Sequence, residues 1–257
     1  MTAAAGRAAA PRCLPFNAPG GAMRLYCLPH AGGSAATYRG WTGRLGPVAV
    51  CPLQPPGRDT RLRDAPHTRM APLVAELADA VLADTSLPYA VYGHSLGALV
   101  GFELLREIDR RGGPAPAHFA VSGAPAPHLS GSDGTPRVTG MGDPEVIELL
   151  RTLGGTPEQL LADPTVLRMI LPPFRADFAV KESYGYAPGP PLDVPITALA
   201  ASADPRASVE AVAAWREHTT RGFTLHRLAG GHFAVLQQPY VTQELLRQAL
   251  DVRLPSG

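Results

Sequence analysis

Three side chains in this sequence could form a proton relay serving a nucleophile: Ser95, Asp204 and His232. A serine hydroxyl is a poor nucleophile at neutral pH, so it needs a base to take its proton and an acid to orient that base. Ser95 sits in Gly93-His94-Ser95-Leu96-Gly97, after the strand-like run Tyr89-Ala90-Val91-Tyr92 and before a helical run through Leu105. Strand, Gly-x-Ser-x-Gly, helix is the setting of a nucleophile elbow. So tight a turn strains the serine backbone and admits only small neighbours, which Gly93, Gly97, Ala98 and Gly101 supply. In a chain with 27 glycines the pentapeptide alone could arise by chance, and the flanking pattern is what singles it out.

Chain order selects the partners. On this scaffold the acid and then the base follow the serine, each on a loop beyond the C-terminal end of a strand. His30, His67 and His94 precede Ser95; His118 begins a strand-like run, at its wrong end; His218 and His226 lie before or inside the last strand-like run, Phe223–Leu228. His232 follows that run, behind Gly230-Gly231. The acid should follow Val194–Ala201: Asp193 stands before that run and Asp204 after it. Pro205 biases Asp204 towards an extended backbone, and the competing role for this residue is the N-cap of the helical run that starts at Arg206. The interval from Asp204 to His232 holds one helix and one strand, a single α/β unit.

The negative oxygen formed on an attacked carbonyl needs donors. One is expected from the N–H of Leu96, at a helix N-terminus. The other should come from the loop after the strand-like run Arg24–Leu28, Pro29-His30-Ala31-Gly32-Gly33-Ser34. That loop resembles the His-Gly-Gly loop of esterases, and the resemblance implies that Ala31 N–H is the second donor while His30 shapes the loop. Neither Gly-x-G-x-x-Gly nor Gly-Lys-Ser/Thr occurs, which argues against nucleotide binding.

The elements that must position these residues alternate along the chain. Strands are expected at 23–28, 48–53, 89–92, 118–122, 194–201 and 223–228, and helices near 71–84, 96–110, 206–218 and 240–251. That rhythm predicts an α/β fold, a mostly parallel sheet with helices on both faces. Between Pro127 and Leu192 no strand is expected; Asp143–Leu150 and Pro164–Leu171 read as short helices, so residues 129–190 are expected to form a helical lid inserted past the catalytic edge. Residues 23–257 are read as one domain, behind a disordered leader at 1–22 that lacks the apolar core of a signal peptide. A net charge of +1 gives no electrostatic case for nucleic acid, and no apolar run approaches a membrane span of about 20 residues. Three cysteines, Cys13, Cys27 and Cys51, are read as reduced thiols, and the chain as cytoplasmic.

Several stretches in order carry a resemblance: Leu28–Ser34, Pro56-Gly57-Arg58, Gly93–Ala98, Phe102-Glu103-Leu104, Ser122-Gly123, Ala126-Pro127-His128, Arg175-Ala176-Asp177-Phe178 and Gly231-His232-Phe233. Over roughly residues 24–236 the chain is similar to the type II thioesterases, the free-standing editing enzymes of polyketide and nonribosomal peptide synthetases. The resemblance implies an α/β-hydrolase fold and hydrolysis of acyl groups from the phosphopantetheine arm of acyl or peptidyl carrier proteins. It implies no cofactor and no metal, and a monomer is expected. Among the lid residues, Ile147, Leu150, Leu153, Leu160, Leu161, Leu167, Met169 and Ile170 are candidates to line an acyl pocket or to pack the lid. His30, Gly32 and Met169 are taken as substrate-binding residues, and Arg58, Arg168 and Arg175 as candidates to dock an acidic carrier protein. Two other classes stay open: a carboxylesterase or lipase-like hydrolase of free esters, and a non-catalytic module on a relic fold.

Overall fold

The computed structural model describes residues 12–16, 20–131, 134 and 136–251. Six strands, β1 (Met23–Leu28), β2 (Val48–Pro52), β3 (Tyr89–His94), β4 (His118–Ser122), β5 (Ile196–Ala201) and β6 (Phe223–Leu228), form one sheet in the order β2-β1-β3-β4-β5-β6. Every neighbouring pair is parallel. The helices are α1 (Met70–Leu82), α2 (Leu96–Arg110), α3 (Asp143–Leu153), α4 (Glu158–Leu161), α5 (Pro164–Glu182), α6 (Val209–Ala213), α7 (Ala234–Gln237) and α8 (Pro239–Asp251).

Strands covered on both faces read as nearly continuous apolar runs, and β1 to β5 are of this kind. Alternation along each strand then divides the core in two. On one face Tyr26, Leu28, Val91, Phe119 and Val121 meet Leu77, Val81, Phe102 and Leu105 of α1 and α2, together with Trp215. On the other, Leu25, Cys27, Val50 and Tyr92 meet Tyr38, Trp41 and the α8 residues Leu246 and Leu250. A third cluster lies apart in the segment between β4 and β5, where Val146, Leu149, Leu150, Leu161, Leu171, Phe174 and Phe178 pack α3, α4 and α5 together. The expected α/β layering is therefore present, as is a helical segment between core strands.

Three local expectations change. Helix α5 does not stop before Pro172-Pro173 but runs on to Glu182. Proline removes an interior hydrogen bond, yet burial of Leu171, Phe174 and Phe178 on either side holds the helix together. The helix expected at 206–218 is Val209–Ala213 followed by a 3-10 turn, Ala214–His218; Ser208, whose hydroxyl accepts from Ala211 N–H, is its N-cap, so Asp204 is not. Within the span expected to be a disordered leader, residues 1–11 and 17–19 lie outside the described ones, whereas Cys13 and Leu14 are buried in the core and Cys13 C=O accepts from Gln54 N–H. All three cysteines are buried and free. No helix among the described residues is long and apolar enough to cross a membrane.

Candidate active site

A parallel sheet delivers the C-terminal ends of all its strands to one edge, and the candidate residues follow those ends: Ala31 after β1, Ser95 after β3, Asp204 after β5 and His232 after β6. Ser95 is one of two described non-glycine residues with positive φ (φ 57°, ψ −122°), the strained corner that the flanking glycines foretell. A Cβ on Gly93 would lie 2.2 Å from Gly97 O, and one on Gly97 would lie 2.3 Å from Leu28 O. Neither position can hold a larger residue without moving backbone. Ser95 N–H donates to Ser122 O at 2.8 Å, which ties the elbow to β4.

Asp204, His232 and Ser95 form a continuous relay. His232 Nδ1 lies 2.8 Å from Asp204 Oδ2, and His232 Nε2 lies 3.0 Å from Ser95 Oγ. The other carboxylate oxygen of Asp204 accepts Arg206 N–H at 2.9 Å, so both oxygens are engaged and the carboxylate cannot rotate away. With Nδ1–H donated to Asp204, the lone pair on Nε2 faces the serine hydroxyl. All three residues are buried. Asp193, by contrast, is exposed at the opposite edge, paired with Arg221 and Thr220.

Three more aromatic rings surround the base. Phe233 is packed edge-on to His30, His94 and His232, with centroids 5.0, 5.7 and 5.1 Å away. His94 Nδ1 is 2.9 Å from Ser122 Oγ, which also bonds Tyr92 OH at 2.8 Å. Burial pushes the His94 imidazole well below its ordinary pKa, and burial with the nearby His232, Arg206 and Arg58 lowers that of His30 to about 4. Burial thus favours the neutral form of both rings.

A cavity opens at Ser95, bounded by His30, Ala31, Gly32 and Phe233 from the sheet side and by Leu150, Leu153, Ile170, Phe174 and Phe178 from the helical segment. A smaller one lies on the other side of Ser95, against Leu96, Gly123, Ser130 and Lys181. Arg206 borders both. Leu96 N–H belongs to the first turn of α2, where helix N–H groups have no intrahelical acceptor. Ala31 N–H has no acceptor among the described residues.

His30 and Gly32, taken as substrate-binding, line the cavity, whereas Met169 does not. It is 45% exposed on the outside of α5, one residue and about 100° of helical rotation from Ile170, which does face the cavity. Of the other candidates in this segment, Leu150 and Leu153 line the cavity, Ile147, Leu161 and Leu167 pack the cluster that joins α3, α4 and α5, and Leu160 is exposed. Arg58 is corrected as a docking residue: it is buried and its guanidinium grips the Asp177 carboxylate of α5. Arg175 pairs with Asp143 and Met141 O, within the helical segment, and Arg168 bonds Thr165 on its exposed side. Sequence reasoning missed Arg206, whose Nη1 lies 3.2 Å from His232 Nε2. No periodicity marks a residue in a turn, though its place two positions after the acid put it within reach.

Comparison with known proteins gives the family and the fold. Residues 23–250 match the family described as Thioesterase domain. The chain is 35% identical over 233 residues to Gramicidin S biosynthesis protein GrsT of Aneurinibacillus migulanus, covering 90% of each chain. It is 40% identical over 228 residues to Thioesterase PikA5 of Streptomyces venezuelae, covering 86% of this chain and 78% of the relative. Among solved structures it superposes on the RedJ thioesterase of the prodiginine biosynthetic pathway of Streptomyces coelicolor with a TM-score of 0.81 and 40% identity, covering 90% of this chain and 91% of the other.

Proposed function

Because this chain belongs to the thioesterase family, we propose that it hydrolyses acyl groups held as thioesters on the phosphopantetheine arm of acyl or peptidyl carrier proteins, and so clears aberrant or stalled intermediates from polyketide or nonribosomal peptide assembly. The observation that carries this reading is the Asp204–His232–Ser95 relay opening into an apolar cavity roofed by α3 and α5. Ser95 Oγ attacks the thioester carbonyl as His232 Nε2 takes its proton, and Asp204 holds the imidazole in the required tautomer. The tetrahedral oxyanion rests on the N–H groups of Ala31 and Leu96. Collapse expels the pantetheine thiol, protonated by His232, and leaves the acyl group on Ser95. Water, deprotonated by the same histidine, then releases the carboxylic acid. Leu150, Leu153, Ile170, Phe174 and Phe178 would receive the acyl chain.

Mass spectrometry of a panel of acyl-carrier proteins tests this. Wild type should return the free-thiol carrier, while Ser95→Ala should be as inert as a variant lacking all three relay residues, because such residues act as a unit. Faster turnover of simple esters than of any carrier-bound thioester would replace the proposal with that of a general esterase. Near wild-type hydrolysis by Ser95→Ala would remove the serine mechanism altogether.

A further inference from the structure

Helix α5 does more than roof the cavity, because it is bonded to the loop that carries Ala31. Asp177 Oδ2 accepts Gly32 N–H at 2.7 Å. The same carboxylate is gripped by Arg58, with Nη2 2.7 Å from Oδ1, and Arg58 Nη1 also donates to Gly33 O at 3.1 Å. One turn earlier on α5, Phe174 is so close that a Cβ on Gly32 would meet its ring at 3.2 Å. Asp177 and Arg58 are each only 5% exposed. The loop that follows Ala31 is therefore pinned at two points, Gly32 N–H to Asp177 of α5 and Gly33 O to Arg58 of the segment after β2.

We propose that Asp177 is a positioning residue for the oxyanion loop, so that the Ala31 donor is correctly aimed only while α5 is seated and Arg58 locks the pair. This rests on the reading of Ala31 N–H as an oxyanion donor. The Gly32 backbone has φ +77° within a turn closed by Gly33 N–H to His30 O at 2.9 Å, which sets the shape of the loop but not its aim relative to Ser95. Asp177 ties that turn to α5. A charged acceptor gives a stronger hydrogen bond than a neutral one, and a guanidinium gripping both oxygens fixes the orientation of the carboxylate. When α5 lifts, Gly32 loses its acceptor and the loop regains freedom, so lid opening and loss of the oxyanion site are one event. Substrate that seats the lid thereby completes the site.

The test uses two readouts on Asp177→Asn: steady-state hydrolysis of a short acyl-pantetheine thioester, and inhibition by an alkyl trifluoromethyl ketone. The ketone reports on the oxyanion site without turnover, because Ser95 Oγ adds to its carbonyl carbon, the hydroxyl proton passes to His232, and the resulting oxyanion needs the same donors. The expected result is a fall in kcat of about 10- to 100-fold, somewhat less than outright loss of a donor, with KM changed less than about threefold and ketone affinity falling in parallel with kcat. Arg58→Lys, which keeps the charge but not the two-pronged grip, should fall between wild type and Asp177→Asn, and it carries the same test should Asp177→Asn not fold. Leu161→Ala serves as control, loosening the cluster of α3, α4 and α5 away from the cavity while leaving the Gly32 contact. Unchanged ketone affinity in a folded variant, or equal effects in Leu161→Ala, overturns the proposal. Should wild type react with the ketone but hydrolyse no thioester, the thioesterase reading fails while the ketone series still decides the role of Asp177.

Discussion

Asp204 has both carboxylate oxygens engaged, one by His232 Nδ1 and one by Arg206 N–H, a geometry suited to the orienting role proposed for it. Asp204→Asn should leave the fold intact but turn an amide towards Nδ1, favouring the wrong tautomer and lowering kcat by about 10⁴, the loss seen in the well-studied serine protease relay. Asp193→Asn, in an exposed pair with Arg221, should change kcat little. Steady-state kinetics on both variants, with circular dichroism to verify folding, distinguishes them; loss of activity on the Asp193 side would place the acid on the wrong edge of the sheet. That Ser95, Asp204 and His232 come together was legible because strand ends and chain order constrain them. Arg58 was not: a guanidinium beside Pro56-Gly57 reads as a surface cation until the three-dimensional fold supplies Asp177, more than a hundred positions away. Met169 failed for a finer reason, since a helix turns about 100° per residue and a short apolar run cannot state which member faces inward.

At the scale of elements, α5 shows where local rules are outvoted. Pro172-Pro173 reads as a stop, yet the helix continues because Leu171, Phe174 and Phe178 gain more by burial than the proline pair loses in hydrogen bonding. Phe174 and Phe178 stack with centroids 4.5 Å apart, at the centre of a cluster separate from the two that hold the sheet. Phe174→Ala should therefore cost about 3–5 kcal/mol locally, with the loss confined to the helical segment. Hydrogen exchange should quicken across α3 to α5 while β3, β4 and β5 keep their protection. Exchange accelerated equally in the sheet would mean that the cluster of α3 to α5 and the core fold as one unit. The sheet elements themselves were legible from apolar runs punctuated by turns, but their order was not, because each parallel neighbour lies across a crossover and no residue pattern records which strand it meets.

For the molecule as a whole, buried imidazoles set the response to acid. Burial lowers His30 and His218 to about 4 from an ordinary value of 6.5, and takes His94 well below it. The unfolded chain binds these protons first as pH falls, so the stability they confer is complete above about pH 6.5 and is lost progressively towards pH 4. Each such group contributes a slope of about 1.4 kcal/mol per pH unit in that window. Asp84, Glu107 and Glu244, held down to about 2 by their hydrogen-bond partners, are lost only at lower pH. Urea midpoints measured from pH 7.5 to 4.5 should fall steeply before the carboxylates titrate, and a flat profile there would mean the imidazoles are not held neutral.

The backward-bent backbone of Ser95 has an implication for how this protein could be improved and what would be forfeited. An L-residue at φ 57° and ψ −122° is held against its preference by its surroundings, at a penalty of about 1–3 kcal/mol. Glycine carries almost none of that penalty, though it gives back part of the gain through a looser unfolded chain. Ser95→Gly should thus melt at a higher temperature than wild type while hydrolysing nothing, a result calorimetry can read directly. The nucleophile would then be the place where selection for turnover has kept the protein short of its attainable stability, and a search for hardier variants that ignored activity would be drawn first to erase it.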